Sequence, residues 1–275
     1  MTVTAAVTRL VETDAHEGPV YVSTEHALYF TTNRPHVSIR RLDLSTGNVG
    51  TVRADANMAN GMVLDRDGAL LVCEQGTLWR RAAITRFLPR TGHVSTVVDS
   101  WLGLRLNSPN DVVVARDGAI WFTDPSYGWL QGFRPAPELG DHVLRHDPRS
   151  GATSLVADTF DKPNGLAFSP AEDVLYVGDS ARNHIKAFDV AGGRLAHERV
   201  FAEIRPGYPD GLKVDSAGRV YSSAADGVHI FDPTGERIGE IPLPGAVNFT
   251  FGERDVLYIT ADDAIWAAEL DLDRH

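Results

Sequence analysis

Two stretches of the chain have nearly the same pattern: NGMVLDRDGALLVCE from Asn60 to Glu74, and NDVVVARDGAIWFTD from Asn110 to Asp124. Each begins with a polar residue, continues as a short apolar strand, turns at a glycine and returns as a second strand. The turn glycine follows the first residue by eight positions in both stretches. Short apolar segments that flank a glycine turn are typical of a β-hairpin.

The same pattern recurs along the chain, which therefore contains six related hairpins. A second pair of strands follows most of them, as in IRRLDLSTGNVGTV from Ile39 and VHIFDPTGERIGEI from Val228. Repeats of four short antiparallel strands are typical of β-propeller blades. The first residues of the six hairpins, called the lead residues below, are Glu17, Asn60, Asn110, Asn164, Asp210 and Asn248.

The spacing of the repeats predicts a closed ring. Successive lead residues are 38 to 54 positions apart, and the distance from Asn248 through the termini to Glu17 has the same size. The sixth repeat lacks a fourth strand, and the N-terminal TVTAAVTRLV, which alternates with a period of two, predicts that strand. We therefore expect an all-β, six-bladed β-propeller, a single domain over residues 1–275. Each blade has four antiparallel strands, and the N-terminal strand closes the last blade and removes an open edge.

Composition limits the partners. The 37 acidic and 26 basic side chains give a formal net charge of -11, which disfavours nucleic acid and anionic membranes. No apolar run approaches the roughly 18 residues of a membrane span. The N-terminal segment lacks the features of a signal peptide. The single cysteine, Cys73, excludes an internal disulfide and lies in an apolar strand pattern. We expect a cytoplasmic protein whose partner is a small-molecule substrate.

The lead residues predict a metal site. The first strand of each propeller blade lines the central channel, so these residues should ring one mouth of it. All six carry side-chain oxygens, and two are carboxylates. Oxygen ligands favour one divalent cation, with Ca²⁺ as the first choice and Zn²⁺, Mn²⁺ or Mg²⁺ as alternatives. For Asn60 and Asn248 taken singly, hydrogen bonds to local turn backbone are the alternative explanation.

Strand direction places the loops after the second strands over the same mouth. The longest, DPSYGWLQGFRPAPELGDH from Asp124, is predicted to be a lid that brings Tyr127 to the substrate. Its aromatic residues Trp129 and Phe133 predict an apolar wall. His16, beside Glu17, could reach the mouth, but we expect it to be a solvated turn residue.

Three segments resemble the senescence marker protein/gluconolactonase family, also described as regucalcin-like: RLNSPNDVVVARDGAIWFTDPSYG from Arg105, KPNGLAFSP from Lys162 and PDGLKVD from Pro209. The similarity extends from EGPVY at Glu17 to the last repeat. It implies a six-bladed propeller that holds one divalent metal and hydrolyses aldonolactones. It also implies Glu17, Asn164 and Asp210 as metal ligands, Asn110 as a contact of the metal, its water or the substrate, and Arg105 as a substrate contact.

These expectations lead to a metal-dependent lactone hydrolase. The metal would polarise the ring carbonyl, and Asp210 would act as general base on the attacking water, with metal-bound water of lowered pKa as the alternative. The apolar wall predicts that less hydroxylated or aromatic lactones are hydrolysed at least as well as gluconolactone. Two other classes stay open: a different hydrolase on the same platform, such as a phosphotriesterase-like enzyme, and a recruited or non-catalytic metal-binding relative. The absence of GxSxG argues against a serine hydrolase of that class.

Overall fold

Six antiparallel sheets surround a central channel in the computed structural model, which describes residues 4–271. Within those residues the first strand is β1 (Thr4–Ala15). The first blade then contains β2 (Glu17–Val22), β3 (Ala27–Thr31), β4 (Ile39–Asp43) and β5 (Val49–Arg53). The second contains β6 (Ala59–Leu64), β7 (Leu70–Glu74), β8 (Ala83–Leu88) and β9 (His93–Val98). A small hairpin, β10 (Ser100–Trp101) and β11 (Leu104–Arg105), leads to the third blade.

The remaining blades repeat this order. The third contains β12 (Val112–Val114), β13 (Ile120–Asp124), β14 (His142–Asp147) and β15 (Ala152–Ala157). The fourth contains β16 (Pro163–Phe168), β17 (Val174–Asp179), β18 (His184–Ala191) and β19 (Arg194–Glu203). The fifth contains β20 (Leu212–Val214), β21 (Val220–Ala224), β22 (Gly227–Phe231) and β23 (Arg237–Pro242), and the sixth begins with β24 (Asn248–Phe251) and β25 (Val256–Asp271).

Helical structure is limited to short segments. The helix α1 (Tyr127–Leu130) lies in the long loop after β13, and 3₁₀ turns span Ser23–Glu25 and Ser180–Arg182. No helix in residues 4–271 has the length and apolar character needed to cross a membrane.

The sixth blade is completed by both ends of the described chain. β24 pairs with the first part of β25, with Asn248 opposite Thr260. A backbone hydrogen bond of 3.0 Å from Leu270 N–H to Asp255 O joins the two ends of β25, so this strand folds back on itself. Its last part pairs with β1, with Thr4 opposite Asp271. The predicted six-bladed fold and its closure by the N-terminal strand are confirmed.

The hydrophobic core lies between neighbouring blades. Successive residues of a strand point to opposite faces of the sheet, so each blade contributes to two clusters. In β13, Trp121 packs in the cluster between the third and fourth blades, whereas Phe122 packs in the one between the second and third. Cys73 of β7 is a buried free thiol in the latter cluster, as expected. The six clusters among the described residues stabilise the ring through these blade-to-blade contacts.

Glycine after a lead residue allows the inner strands to approach one another. A Cβ on Gly61 would lie 2.5 Å from Asn110 O, and a Cβ on Gly165 would lie 2.3 Å from Asp210 O. The N–H groups of these glycines instead donate to the same carbonyls, at 2.8 and 3.0 Å. An oxygen-bearing lead residue followed by glycine, a pattern found in four of the six repeats, therefore lets the inner strand pack closely against the next blade. This packing brings the lead residues together.

Candidate active site

A cavity of about 410 Å³ lies at one mouth of the channel. Five lead residues line it: Glu17, Asn60, Asn110, Asn164 and Asp210. The sixth, Asn248, donates its Nδ2 to Glu17 Oε2 at 2.7 Å. Loops after the second strands complete the wall and contribute Thr32, Gln75, Tyr127 and Ser180. The lead residues and these loops therefore share one mouth, as strand direction predicts.

Glu17 and Asp210 are two carboxyl groups that line the cavity. Glu17 is 3% exposed, and its Oε2 also accepts the N–H of Gly18 at 2.7 Å. Asp210 is half-buried, and its carboxyl group interacts with the side chains of Glu17 and Asn164. Burial raises the pKa of both carboxyl groups, and the charge of Asp210 raises that of Glu17 further. A cation between them would remove this penalty.

Two amide side chains face the same space. Asn164 is buried, and its Nδ2 donates to Ser180 Oγ at 3.1 Å and lies 3.4 Å from Tyr127 Oη. Asn110 is also buried, and its Oδ1 has no hydrogen-bond partner within the described part of the chain. A buried amide oxygen without a partner is costly unless a ligand or water completes it. The structure therefore brings together four predicted site residues, whose roles as ligands stay predictions.

His16 reaches the mouth, which was the less favoured of its two interpretations from the sequence. It lines the cavity, and its Nδ1 lies 2.6 Å from Asp262 Oδ1. Burial lowers the pKa of His16, but Asp262 and the nearby carboxyls of Glu17 and Asp210 outweigh this and raise it overall. The expected solvated turn does not form because the backbone N–H of His16 donates to Thr31 O at 2.8 Å, which holds it beside the first blade.

Sequence reasoning also missed several wall residues. Lys162 and Tyr208 line the cavity, and each stands two positions before a lead residue, in KPN and YPD. Ser108 has the same position in SPN, where its Oγ accepts the N–H of Gly128 in the lid at 2.9 Å. An alignment of the repeats would have marked this position, two residues before each lead residue, as part of the mouth. Arg34 also lines the cavity, from the loop after β3, and no repeat pattern marks it.

The lid contributes polar rather than apolar groups. Tyr127 lines the cavity as predicted, and so does Gln131. The cavity wall does not include Trp129, which is 49% exposed, or Phe133, whose ring lies under Arg34. The expectation of an apolar wall is therefore wrong, because α1 points only its first residue inward and the next aromatic side chain outward.

Arg105 lies apart from the other predicted residues. It is not part of the cavity wall, and its Nε donates to Glu138 Oε1 at 2.7 Å. The backbone N–H of Arg105 donates to the other oxygen of the same carboxylate at 2.8 Å. This ion pair holds the guanidinium against the C-terminal part of the lid. A substrate contact by Arg105 stays a prediction that would require this pair to open.

The carboxylate and amide oxygens at the mouth suit a hard cation. No group of three or more His, Cys, Asp or Glu side chains in residues 4–271 is arranged to hold a metal ion. A metal at the mouth would therefore need amide oxygens beside the two carboxylates. Glu17, Asp210, Asn164 and the unpartnered Asn110 Oδ1 supply that combination, which matches the ligands of Ca²⁺ in proteins.

Fold and site together define a six-bladed β-propeller with a carboxylate and amide site at one mouth of its channel. The chain belongs to the SMP-30/gluconolactonase/LRE-like family, whose model matches residues 15–263. The resemblance read from the sequence is thereby confirmed.

Relatives of the chain include proteins named as gluconolactonases. A gluconolactonase of Zymomonas mobilis is 33% identical over 89% of this chain and 75% of its own length. The solved structure of a gluconolactonase from Xanthomonas campestris is 37% identical, with a TM-score of 0.89 over 97% of this chain and 90% of that one. A calcium-binding regucalcin from Agrobacterium tumefaciens, at 18% identity and a TM-score of 0.78 over 96% and 93%, shares the fold.

Proposed function

We propose that the protein is a metal-dependent lactonase that hydrolyses hydroxylated, sugar-type lactones. The observation that carries the proposal is the pairing of the Glu17 and Asp210 carboxyl groups, beside Asn164, in the wall of one cavity. Similarity to two gluconolactonases over most of the chain supports the same reaction class.

Glu17, Asn164 and Asp210 would hold one divalent cation, with Asn110 Oδ1 as a further contact. Ca²⁺ is the first choice on ligand chemistry, since all four side chains offer oxygen. When bound, such a cation supplies Lewis acidity, which polarises a lactone carbonyl and stabilises developing negative charge. Asn248 supports the site because its hydrogen bond fixes the orientation of the Glu17 carboxylate.

Asp210 is the proposed general base. A water molecule attacks the carbonyl carbon, and Asp210 accepts its proton while the new C–O bond forms. The bond between the carbonyl carbon and the ring oxygen then breaks, and the proton passes from Asp210 to that oxygen. The product is a hydroxy acid.

The wall favours a hydroxylated substrate. Thr32, Asn60, Gln75 and Gln131 face the cavity together with the hydroxyls of Tyr127 and Ser180. A site with such groups rejects analogues that lack matching hydroxyls, because its buried polar atoms would lose partners. We therefore replace the expectation of apolar lactones with a preference for hydroxylated ones.

The test is hydrolysis of a lactone panel by the purified protein, before and after chelator treatment. We expect gluconolactone to be hydrolysed faster than an apolar lactone of equal ring size. Chelator should abolish hydrolysis, and added Ca²⁺, Mn²⁺, Zn²⁺ or Mg²⁺ should restore it to different extents. Full activity in chelator would contradict the metal dependence. Hydrolysis of a phosphotriester with no lactone turnover would contradict the reaction class.

A further inference from the structure

Three side chains able to carry positive charge line the cavity: His16, Arg34 and Lys162. Two of them already have acidic partners. His16 Nδ1 lies 2.6 Å from Asp262, and Lys162 Nζ lies 2.6 Å from Asp141 and 3.1 Å from Asp161. Arg34 has no carboxylate within ion-pair distance in the described part of the chain. It is therefore the wall cation whose charge no protein group balances.

The loop geometry presents Arg34 to a ligand. Its guanidinium carbon lies 5.3 Å from the centroid of the Phe133 ring, so the first blade's loop meets the lid of the third blade over the mouth. This cation–π contact leaves the N–H edge of the guanidinium available to a ligand. Within residues 4–271 none of these N–H groups donates to a protein acceptor. Such an edge matches a carboxylate or phosphate through two parallel hydrogen bonds.

Arg34 and the carboxyl pair lie at different depths. Glu17 is buried at the channel, whereas Arg34 is exposed at the rim. A substrate whose carbonyl approaches Glu17 and Asp210 has its far end at the rim. The unbalanced positive charge of Arg34 favours the orientation that places an anionic group at the rim.

We propose that Arg34 binds an anionic substituent, a carboxylate or a phosphate, on the substrate lactone. The preferred substrates would then be hydroxylated lactones that carry this group remote from the ring carbonyl. The inference rests on the proposed lactonase function and names its substrate class.

The experiment compares kcat/KM for three lactones: glucono-lactone, which is neutral, glucaro-lactone, which carries a carboxylate, and 6-phosphoglucono-lactone. In the wild type we expect at least one anionic lactone to exceed the neutral one by about tenfold, the effect of one charge-assisted contact. The difference between the two anionic lactones tells carboxylate recognition from phosphate recognition. The advantage should shrink as salt concentration rises.

Variants of Arg34 test whether this side chain causes the preference for anionic lactones. Arg34→Gln should lower the ratio of anionic to neutral kcat/KM by about tenfold, mainly through KM. Arg34→Lys should retain part of the ratio, because it keeps the charge but loses the planar fork. The control Arg194→Gln removes an exposed arginine from β19 and should leave the ratio unchanged. A wild-type ratio at or below one, or an unchanged ratio in Arg34→Gln, overturns the inference.

Failure of the lactonase proposal can be distinguished from failure of the proposal for Arg34. If the wild type hydrolyses none of the three lactones, the proposed function is wrong, and calorimetry with gluconate and glucarate then tests Arg34 directly. Tighter binding of glucarate in the wild type than in Arg34→Gln supports the anion site. Equal binding refutes it. If gluconolactone is hydrolysed without an anionic preference, only the present inference fails.

Discussion

At the residue scale, the lead positions carry both the architecture and the chemistry. Asn60 Nδ2 donates to Asn110 O at 3.1 Å and Asn248 Nδ2 donates to Glu17 Oε2, so these two amides tie neighbouring blades together. These bonds run between blades and differ from the local backbone bonds considered for Asn60 and Asn248, of which Asn248 Oδ1 makes one by accepting the N–H of Phe249 at 2.7 Å. Asp210 differs, because its carboxylate borders the cavity and has raised pKa. One repeat position therefore serves both packing and the site.

The first prediction concerns Asp210→Asn. The change keeps the size of the side chain and removes its charge and basicity. We expect kcat for gluconolactone to fall by about 10²–10⁴-fold, the usual contribution of a general base. The melting temperature in chelator should not fall, because burial already penalises the charged carboxylate. Asp263→Asn, an exposed change beyond the cavity wall, is the control for activity and stability. Near wild-type turnover in Asp210→Asn would refute the base assignment.

At the element scale, acidic residues at the ends of second strands hold the loops that enter each blade. Asp124 ends β13 and accepts the backbone N–H groups of Asn107 and Ser108, each at 2.9 Å. Asp179 ends β17 and accepts the N–H of Asp161 at 3.2 Å. Both carboxylates are fully buried. The two carboxylates therefore position the loops that lead into the third and fourth blades, together with the lead residues of those blades.

Arg134 joins three loops at the mouth through carbonyl groups alone. Its Nε and Nη2 donate to Asn107 O and Leu106 O, at 2.8 and 2.9 Å. Its Nη1 donates to Thr77 O and Arg80 O, at 2.9 and 3.1 Å. The lid, the loop after β7 and the entry to the third blade are therefore one connected unit. This unit carries Gln75, Tyr127 and Gln131 of the cavity wall.

The second prediction is that Arg134→Met loosens this unit. Four carbonyl groups lose a charged donor, so we expect the free energy of unfolding to fall by about 2–4 kcal/mol. KM for the lactone should rise more than kcat falls, because the wall shifts while Asp210 stays in place. Denaturant unfolding and steady-state kinetics measure the two effects. Arg81→Met is the control, since this exposed arginine of the same loop makes only a 3.4 Å ion pair with Asp99. Equal stability of the two variants would contradict the joining role.

The blades and the lead residues were predictable because hydrophobic alternation and glycine turns recur with each repeat. The positions of His16 and Arg34 were not. Arg34 lies in an irregular loop, and its contact with Phe133 joins segments almost a hundred residues apart in the chain. Aromatic content also misled the prediction of the wall, because composition does not say which way α1 turns its side chains. Periodicity determines the strands, whereas loop contacts across the mouth require the folded ring.

At the scale of the whole molecule, ring closure forces several acidic groups into one buried region. The inner strands contact one another around the complete ring, including β2 with β24. Asp111 stands where a glycine follows four of the other five lead residues. It is buried near Glu17 and Asp210, and burial raises its pKa. Its Oδ2 lies 3.6 Å from Lys213 Nζ. The channel therefore concentrates negative charge that a bound cation would offset.

The last prediction follows from the direction of these shifts. A carboxyl group whose pKa is raised by folding stabilises the folded state only while protonated, so its contribution is lost as pH rises through the folded pKa. In chelator, Glu17, Asp210 and Asp111 should therefore destabilise the protein progressively between about pH 5 and pH 8. A divalent cation binds the deprotonated carboxylates and should reverse the loss. Since the cation competes with protons, the melting-temperature increment between metal and chelator should be larger at pH 8 than at pH 5.

Taking this increment at each pH largely cancels the titration of groups elsewhere in the protein. Asp210→Asn should reduce the increment at pH 8, whereas Asp263→Asn should leave it unchanged. Scanning calorimetry in chelator and in saturating Ca²⁺ measures both quantities, and an increment that does not depend on pH would place any bound metal away from these carboxylates.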